Sequence, residues 1–226
     1  MNAEDLKRAA AEKAVELIED GMTVGLGTGS TAYYAIKAVG RLIKDGFDLR
    51  CVATSLQTER IAKENGIEIV DIDDIDSIDL TIDGADEVGP YLHLIKGLGG
   101  ALLREKIVAA ATKTEVIVVD SSKLVDRLGT KSPLPVEVLN FGHTHTAKAL
   151  ADIGCNPVLR TMNGDAFITD GGNLIFDCGF SQGINHPYHL ESKIDSIPGV
   201  IENGLFLDLT KKVIVAYRDR IEVLEK

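Results

Sequence analysis

Carboxylates, a lysine and a glycine-rich stretch lie close together between residues 83 and 106 of this sequence. Residues 83–87 are Asp-Gly-Ala-Asp-Glu, residues 96–100 are Lys-Gly-Leu-Gly-Gly, and residues 104–106 are Arg-Glu-Lys. Glycines let a backbone approach a ligand and offer N–H donors, and a helix that begins near residue 101 adds the positive end of its dipole. A carboxylate beside such donors can move a proton while a developing oxyanion is stabilised. The region therefore predicts a site for acid–base chemistry.

The elements around this region place it at the end of a strand. Residues 78–82 alternate between apolar and polar side chains, which predicts a strand that ends at Asp83, and open α/β sheets hold ligands at the carboxyl ends of their strands. Each feature also has a purely structural explanation, as an Asp-Gly turn, an acidic first helical turn or a charged helix face. We favour a functional site because these features surround one predicted cluster of loops.

A second glycine-rich segment, residues 24–31, joins a predicted strand to a predicted helix. Such a turn directs backbone N–H groups and hydroxyls at an anion. The segment lacks the Gly-Lys-Ser/Thr ending of a P-loop, and Ser30 stands where the dinucleotide fingerprint has its third glycine, so nicotinamide binding is disfavoured. The sequence predicts a phosphate site here, with a simple tight connection as the alternative. Ser55 and Thr58 follow the next strand and either face the same crevice or cap their helix.

Composition limits the possible partners. The chain has 226 residues, of which 45% are hydrophobic, and the sequence contains no segment suited to span a bilayer or to act as a signal peptide. We therefore expect a soluble, cytoplasmic protein without a membrane partner. The net charge of −11 argues against a nucleic-acid surface. It does not argue against a phosphorylated small molecule, because surface charges are screened beyond roughly 8 Å at physiological ionic strength.

The metal-ligating residue types form no standard pattern. Three cysteines, Cys51, Cys155 and Cys178, are an odd number without metal-ligand spacing, which predicts ordinary buried thiols. Four of the histidines occur at positions 143, 145, 186 and 189, in a predicted minor domain away from the carboxylates, and their spacing matches no standard zinc pattern. We predict no metal site.

The order of predicted elements indicates an α/β protein in two parts. Helices and strands alternate from residue 3 to about residue 122, including a strand at 67–70, and this rhythm predicts a parallel sheet covered by helices on both faces. The alternation of helices and strands is interrupted at residues 131–135, and the pattern of the following section suggests a smaller α+β unit. We predict that residues 1–131 and 204–226 form the catalytic domain, and that residues 132–203 form the smaller one.

Several motifs in order resemble a known family, ribose-5-phosphate isomerase of the A type. They are the Gly-Leu-Gly-Thr-Gly-Ser-Thr turn at 25–31, the carboxylate run at 83–87, the lysine–glycine and Arg-Glu-Lys segments, Ser-Lys at 122–123 and Pro-Leu-Pro-Val-Glu-Val at 133–138. The resemblance implies a Rossmann-like domain with a smaller ferredoxin-like α+β domain. It also implies no metal or cofactor and a homodimer or homotetramer. Compared with a family loop, Leu98, Gly100 and Leu103 replace a glycine, an alanine and a threonine.

The resemblance also implies an activity and the residues that carry it. The reaction is the reversible aldose–ketose isomerisation of ribose 5-phosphate to ribulose 5-phosphate through an enediolate, in the non-oxidative branch of the pentose phosphate pathway. Carried over by motif, Glu105 is the general base, helped by Asp83, Asp86 and Lys96. The implied substrate-binding residues are Thr28, Gly29, Ser30, Thr31, Asp83, Gly84, Ala85, Asp86, Lys96, Gly97, Leu98, Gly99 and Lys123.

Three other functions remain open at this point. A sugar-phosphate deaminase and a CoA-transferase share this general sheet architecture, and fold analogy alone excludes neither. A sugar-phosphate sensing domain of a transcription regulator is a non-catalytic alternative, but no basic helix-turn-helix is visible in the sequence. Ammonia release would identify the first, and a glutamyl thioester with CoA would identify the second.

Overall fold

The computed structural model describes residues 2–226, which form six helices and fifteen strands in this part of the chain. The helices are α1 Ala3–Val15, α2 Ala32–Lys44, α3 Leu56–Glu64, α4 Leu102–Ala110, α5 His143–Asp152 and α6 Pro187–Asp195. The first nine strands are β1 Thr23–Leu26, β2 Arg50–Ala53, β3 Ile78–Asp83, β4 Glu87–Val88, β5 Leu94–Ile95, β6 Thr112–Asp120, β7 Leu134–Val138, β8 Asn156–Leu159 and β9 Thr161–Met162. The remaining strands are β10 Asp165–Ala166, β11 Leu174–Gly179, β12 Val200–Asn203, β13 Leu205–Phe206, β14 Thr210–Ala216 and β15 Ile221–Glu225.

The chain divides into two compact units. The larger unit contains residues 2–85, Arg104–Leu124 and Asp208–Lys226, and the smaller unit contains Asp86–Leu103 and Val125–Leu207. The sequence-based division placed residues 86–103, 125–131 and 204–207 with the first domain, whereas the structure groups them with the second. The physical reason is that Ile95, Leu128 and Leu205 are buried in the apolar core of the smaller unit.

The larger unit is built on a six-stranded sheet in the order β15-β14-β6-β3-β1-β2. The five strands from β14 to β2 are parallel to their neighbours, and β15 is an antiparallel edge strand. Helices α1 and α2 share an apolar core with the sheet, whose members include Ala14, Val39, Val24 and Val116. The predicted α/β class with a parallel sheet is confirmed. The strand predicted at residues 67–70 is wrong, because that segment makes only one bridge, from Ile69 to Cys51.

Local signals in the sequence explain where the helices of the larger unit begin. Asn2 and Asp5 form a reciprocal capping box, in which each side chain accepts a hydrogen bond from the backbone N–H of the other residue. Ser55 caps α3 by accepting the Thr58 N–H at 3.0 Å. Gly66, at φ +77°, follows the end of α3 in the left-handed conformation that glycine tolerates.

The smaller unit carries an antiparallel sheet in the order β12-β7-β11-β8. Helix α5 joins β7 to β8 and α6 joins β11 to β12, which is the ferredoxin-like β-α-β-β-α-β arrangement. A three-stranded antiparallel sheet, β13-β5-β4, belongs to the same unit. Among residues 2–226, no helix combines the length and the apolar character needed to cross a membrane.

Candidate active site

The topology of the larger unit brings several predicted site residues to one edge of its sheet. In parallel strands the carboxyl ends lie at the same edge. Here Asp83 is the last residue of β3, and the segments after β1 and β6 contain Thr28 and Lys123. From β1 the chain adds β2 on one side of β1 and then β3 on the other side, so the order reverses between β1 and β3. Ligands of open α/β sheets bind at such a switch point.

Asp83 fixes the glycine turn that follows β1. Its Oδ1 accepts the Thr28 N–H at 3.0 Å and the Gly84 N–H at 2.7 Å, and its side chain is 1% exposed. Gly27 packs so tightly that a Cβ there would overlap the carboxylate and the Cα of Asp83. The turn therefore needs glycine for close approach.

The hydroxyl of Thr28 lies inside a buried cluster of hydroxyl groups. Its Oγ1 contacts the hydroxyl oxygens of Thr54 at 2.7 Å, Ser55 at 2.8 Å and Thr58 at 3.2 Å. Thr58 also donates to the Gly27 carbonyl at 2.8 Å, which ties the cluster to the turn. Ser55, which caps α3, and Thr58 thus also contact the turn, and Thr54 is a member of the cluster that the sequence reasoning did not single out.

The exposed side of the same turn borders a cleft. Gly29 and Ser30 are exposed, and Thr31 is half-buried at the start of α2. Gly29 has φ +105°, a left-handed conformation that favours glycine. Gly29, Ser30, Tyr33 and Gln57 line a cavity of about 340 Å³. A cavity of this size is within the range of sites for small ligands.

Glu105 and Lys123 are the other predicted site residues of the larger unit. Glu105 lies in the first turn of α4, and it is 5% exposed. A carboxylate in a first turn is favoured by the helix dipole, and burial of a charge demands compensating interactions.

Lys123 is half-buried at the end of the short 3₁₀ turn Ser121–Lys123 that follows β6, where Asp120 accepts the Ser122 N–H at 2.8 Å. Gly84 and Ala85 continue the chain after Asp83 and are half-buried.

In the smaller unit, Asp86 and the loop 96–100 are joined by a hydrogen bond. The Leu98 N–H donates to Asp86 Oδ2 at 2.9 Å, and the Asp86 N–H donates to the Ile95 carbonyl at 2.9 Å. Lys96 is 2% exposed, and its ammonium lies 5.3 Å from the centre of the Phe206 ring. Gly97 has φ +103°, which lets the chain leave β5 in a sharp turn, while Leu98 and Gly99 are exposed at its tip.

Two charged residues of the smaller unit organise its loops and were not assigned a role from the sequence. Glu87 is fully buried and its carboxylate accepts the N–H groups of Gly129, Lys131 and Ser132, each at 2.6 Å. Arg160 donates to the carbonyls of Gly97 and Leu98 at 2.9 and 3.0 Å. No local sequence pattern signals either contact, because the partners are more than 40 residues apart.

The cysteines and histidines take no part in these arrangements. Cys51, Cys155 and Cys178 are buried free thiols, as predicted. Burial raises the pKa of the Cys51 thiol to about 12, so that group stays protonated and unreactive. Across residues 2–226, no group of three or more His, Cys, Asp or Glu side chains is placed to hold a metal ion.

The larger unit is an α/β domain with polar side chains at the switch point of its parallel sheet. The smaller unit is a ferredoxin-like domain. A family model described as ribose 5-phosphate isomerase A (phosphoriboisomerase A) matches residues 50–220. A relative from Gloeobacter violaceus named ribose-5-phosphate isomerase A is 52% identical over 225 residues, which cover 99% of this chain and 97% of the relative. Another of the same name from Bacillus mycoides is 45% identical over 218 residues, which cover 96% of this chain and 98% of the relative.

Solved structures lead to the same family. A D-ribose-5-phosphate isomerase in complex with phospho-erythronic acid has a TM-score of 0.96 at 43% identity, and the match covers all of both chains. Ribose 5-phosphate isomerase from Plasmodium falciparum has a TM-score of 0.96 at 38% identity, over 99% of both chains. The chain belongs to the ribose 5-phosphate isomerase A family. The resemblance and the enzyme class, an aldose–ketose isomerase, are thereby confirmed.

Proposed function

We propose that this protein interconverts D-ribose 5-phosphate and D-ribulose 5-phosphate. The observation that carries the proposal is the similarity over nearly the whole chain to proteins named ribose-5-phosphate isomerase A, at up to 52% identity among the relatives cited above. The sheet edge supports it, because a glycine turn, a buried aspartate and a lysine follow neighbouring strands there. The pentose phosphate pathway, a cytoplasmic location and assembly as a homodimer or homotetramer remain predictions.

We assign the proton transfer to Glu105. Its carboxylate removes the proton from C2 of the open-chain aldose, and the electron pair of that C–H bond forms the C1–C2 double bond of an enediolate. The same carboxylate returns a proton to C1, while the proton of the C2 hydroxyl is transferred to the C1 oxygen, so that C2 becomes the ketone and C1 the hydroxymethyl group. The burial of Glu105 at 5% exposure supports this role, because a carboxylate shielded from water is a stronger base towards a weak carbon acid.

The negative charge that develops on the substrate oxygens needs fixed donors. We assign this role to the Lys96 ammonium and to backbone N–H groups around Gly97 to Gly100, because preorganised donors stabilise an oxyanion without reorganisation during the reaction. We assign ring opening and the relay of hydroxyl protons to Asp83 and Asp86. Both carboxylates accept backbone N–H groups and are therefore held in fixed orientations.

The phosphate and sugar are assigned to the remaining predicted residues. Gly29, Ser30 and Thr31 offer N–H groups and hydroxyls on the exposed side of the turn, and Lys123 offers a cation. Gly84 and Ala85 lie beside Asp83 as backbone that lines the sugar. Thr28 contributes through its buried hydroxyl cluster, which fixes the shape of the turn. The reaction needs no redox partner, since the oxidation of C2 and the reduction of C1 occur in one molecule.

Product identification tests this proposal directly. Ribose 5-phosphate labelled with ¹³C at C1 is incubated with the purified protein and followed by ¹³C NMR, with ammonia and CoA thioesters assayed in parallel reactions. We expect the C1 signal of the aldose to be replaced by the hydroxymethyl signal of ribulose 5-phosphate. Release of ammonia from an amino-sugar phosphate, or a glutamyl thioester formed with CoA, in the absence of isomerisation would instead support one of the alternative enzymes.

A further inference from the structure

Arg160, which directly follows β8 in the smaller unit, holds the loop 96–100. Its Nη1 donates to the carbonyl oxygens of Gly97 and Leu98, at 2.9 and 3.0 Å. Its Nε and Nη2 engage the two carboxylate oxygens of Asp177 on β11, the first of them at 3.0 Å. Only 11% of the Arg160 side chain is exposed, so this fork-shaped ion pair is largely removed from water. Such two-point pairing fixes the orientation of the guanidinium plane.

Phe167 also holds the loop, through packing of its ring. Its ring occupies the space that a Cβ at Gly100 would need, and Gly100 has φ +83°. The Arg160 guanidinium carbon lies 5.8 Å from the centre of the same ring. The Phe167 N–H also donates to the Arg160 carbonyl at 2.9 Å. The loop is therefore held by carbonyl contacts from one side chain and by ring packing from another.

Fixing a carbonyl also fixes the amide of the next residue, because each peptide group is planar and its N–H points opposite to its C=O. With the Gly97 carbonyl on Arg160, the Leu98 N–H points away and donates to Asp86 Oδ2 at 2.9 Å. With the Leu98 carbonyl on Arg160, the Gly99 N–H must also point away from the guanidinium. The Gly100 N–H is used within the loop, by the Gly97 carbonyl at 3.0 Å.

We propose that Arg160, oriented by Asp177, is a positioning residue that directs the Gly99 N–H at the substrate oxygen on which negative charge develops. This inference rests on the proposed isomerase function and deepens it by choosing one donor among the loop amides. The Leu98 N–H serves a different purpose, because it fixes Asp86. The cation also polarises the Leu98–Gly99 peptide through its carbonyl, which strengthens the N–H as a donor.

The test compares substitutions of Arg160 with a substitution of Arg127, another arginine of the smaller unit. Arg127 also donates to a backbone carbonyl, that of Gln182 at 3.0 Å, and serves as the control for general destabilisation. The variants are Arg160→Gln, Arg160→Lys, Asp177→Asn and Arg127→Gln. For each we measure the thermal midpoint, kcat, KM for ribose 5-phosphate, and the dissociation constants of phospho-erythronic acid and of inorganic phosphate. Phospho-erythronic acid carries a carboxylate that mimics the developing oxyanion, and inorganic phosphate lacks it.

We expect Arg160→Gln to lower kcat by about 10- to 100-fold with little change in KM, because a misplaced donor loses its effect mainly in the transition state. Binding of phospho-erythronic acid should weaken by about tenfold or more, and binding of phosphate should not change. Arg160→Lys should recover little of this loss, since an ammonium cannot reproduce the fork. Asp177→Asn should give a smaller loss of the same kind. Arg127→Gln should keep the wild-type kcat whatever its thermal midpoint.

The NMR signal of the Gly99 amide distinguishes a misplaced loop from a protein that has lost its fold. With ¹⁵N-glycine labelling, phospho-erythronic acid should shift the Gly99 amide signal in the wild type and shift it far less in folded Arg160→Lys. The inference is overturned if Arg160→Gln and Arg160→Lys keep the wild-type kcat, or if they lose kcat and phosphate binding in parallel, as a merely structural role requires. Wild-type protein without isomerase activity would refute the proposed function itself, which is a distinct result.

Discussion

The turn after β1 in the larger unit and the loop 96–100 in the smaller unit are both glycine-rich, but they are fixed in different ways. The turn is held by Asp83 and by hydroxyl groups at the ends of neighbouring parallel strands. The loop is held by Arg160, whose partners Gly97 and Leu98 lie 63 and 62 positions earlier in the chain. The first segment is therefore held by side chains that strand topology brings together, whereas the second depends on Arg160, which lies between β8 and β9.

The largest effect is expected for Glu105→Gln, which tests the chemistry that both segments are proposed to serve. Removing a general base typically costs about 10²- to 10⁴-fold in rate, so kcat should fall by that factor while the fold and substrate affinity persist. Glu16→Gln is the control, since Glu16 pairs with exposed Lys13 on the surface of the larger unit. Turnover of Glu105→Gln within a few-fold of the control would show that another group is the base.

Lys123→Ala examines the binding role assigned to the sheet edge. A hydrogen bond to a charged group contributes about 1.5–3 kcal/mol, so KM should rise by roughly 10- to 100-fold with a smaller change in kcat. Lys44→Ala, at the exposed end of α2, should behave like the wild type. If Lys123→Ala bound ribose 5-phosphate as tightly as Lys44→Ala does, the phosphate would have to be held elsewhere.

Gly27→Ala tests whether close packing shapes the turn. The added methyl group would overlap Asp83, and such overpacking costs about 1–3 kcal/mol, so the free energy of unfolding in urea should fall by that amount and activity should fall with it. Gly179→Ala on β11 is the matched control, because the nearest atom to its Cβ position is the Asn156 carbonyl oxygen at 3.9 Å. Equal stability of the two variants would remove the packing explanation for Gly27.

The smallest effect is expected from metal removal. Exhaustive dialysis against EDTA should leave kcat and KM unchanged within error, because the proposed proton transfer uses only a carboxylate, an ammonium and backbone donors. Activity lost on chelation and restored by one divalent cation would contradict the predicted metal independence. A metal ion would then have to be added to the roles that are assigned to the two segments.

Sequence patterns predicted the elements that have local causes. Alternation and turn residues located the parallel strands, and the position of Asp83 at the end of β3 brings it to the turn after β1. The pattern at residues 67–70 failed because a short apolar run has the same appearance whether or not it pairs.

Contacts between distant parts of the chain could not be predicted in this way. Arg160 and Phe167 have no local signature, although Gly100 in place of the family's alanine leaves the space that the Phe167 ring fills. Glu87 appeared in a motif, but its three backbone partners become visible only once the loop 129–132 is in place. The domain boundaries also depended on contacts between distant residues, because the short strands β5 and β13 belong to the smaller unit and pair with each other.

The most direct test of the central claim follows the C2 proton itself. Ribose 5-phosphate is converted by the wild-type protein in D₂O, and the ribulose 5-phosphate and the recovered substrate are examined by ¹H and ²H NMR at several stages of conversion. Proton transfer through Glu105 and an enediolate predicts solvent deuterium at C1 of the product and, as the reaction reverses, at C2 of the substrate. Complete retention of the substrate proton in the product at every stage would indicate a direct hydride shift and would contradict the account.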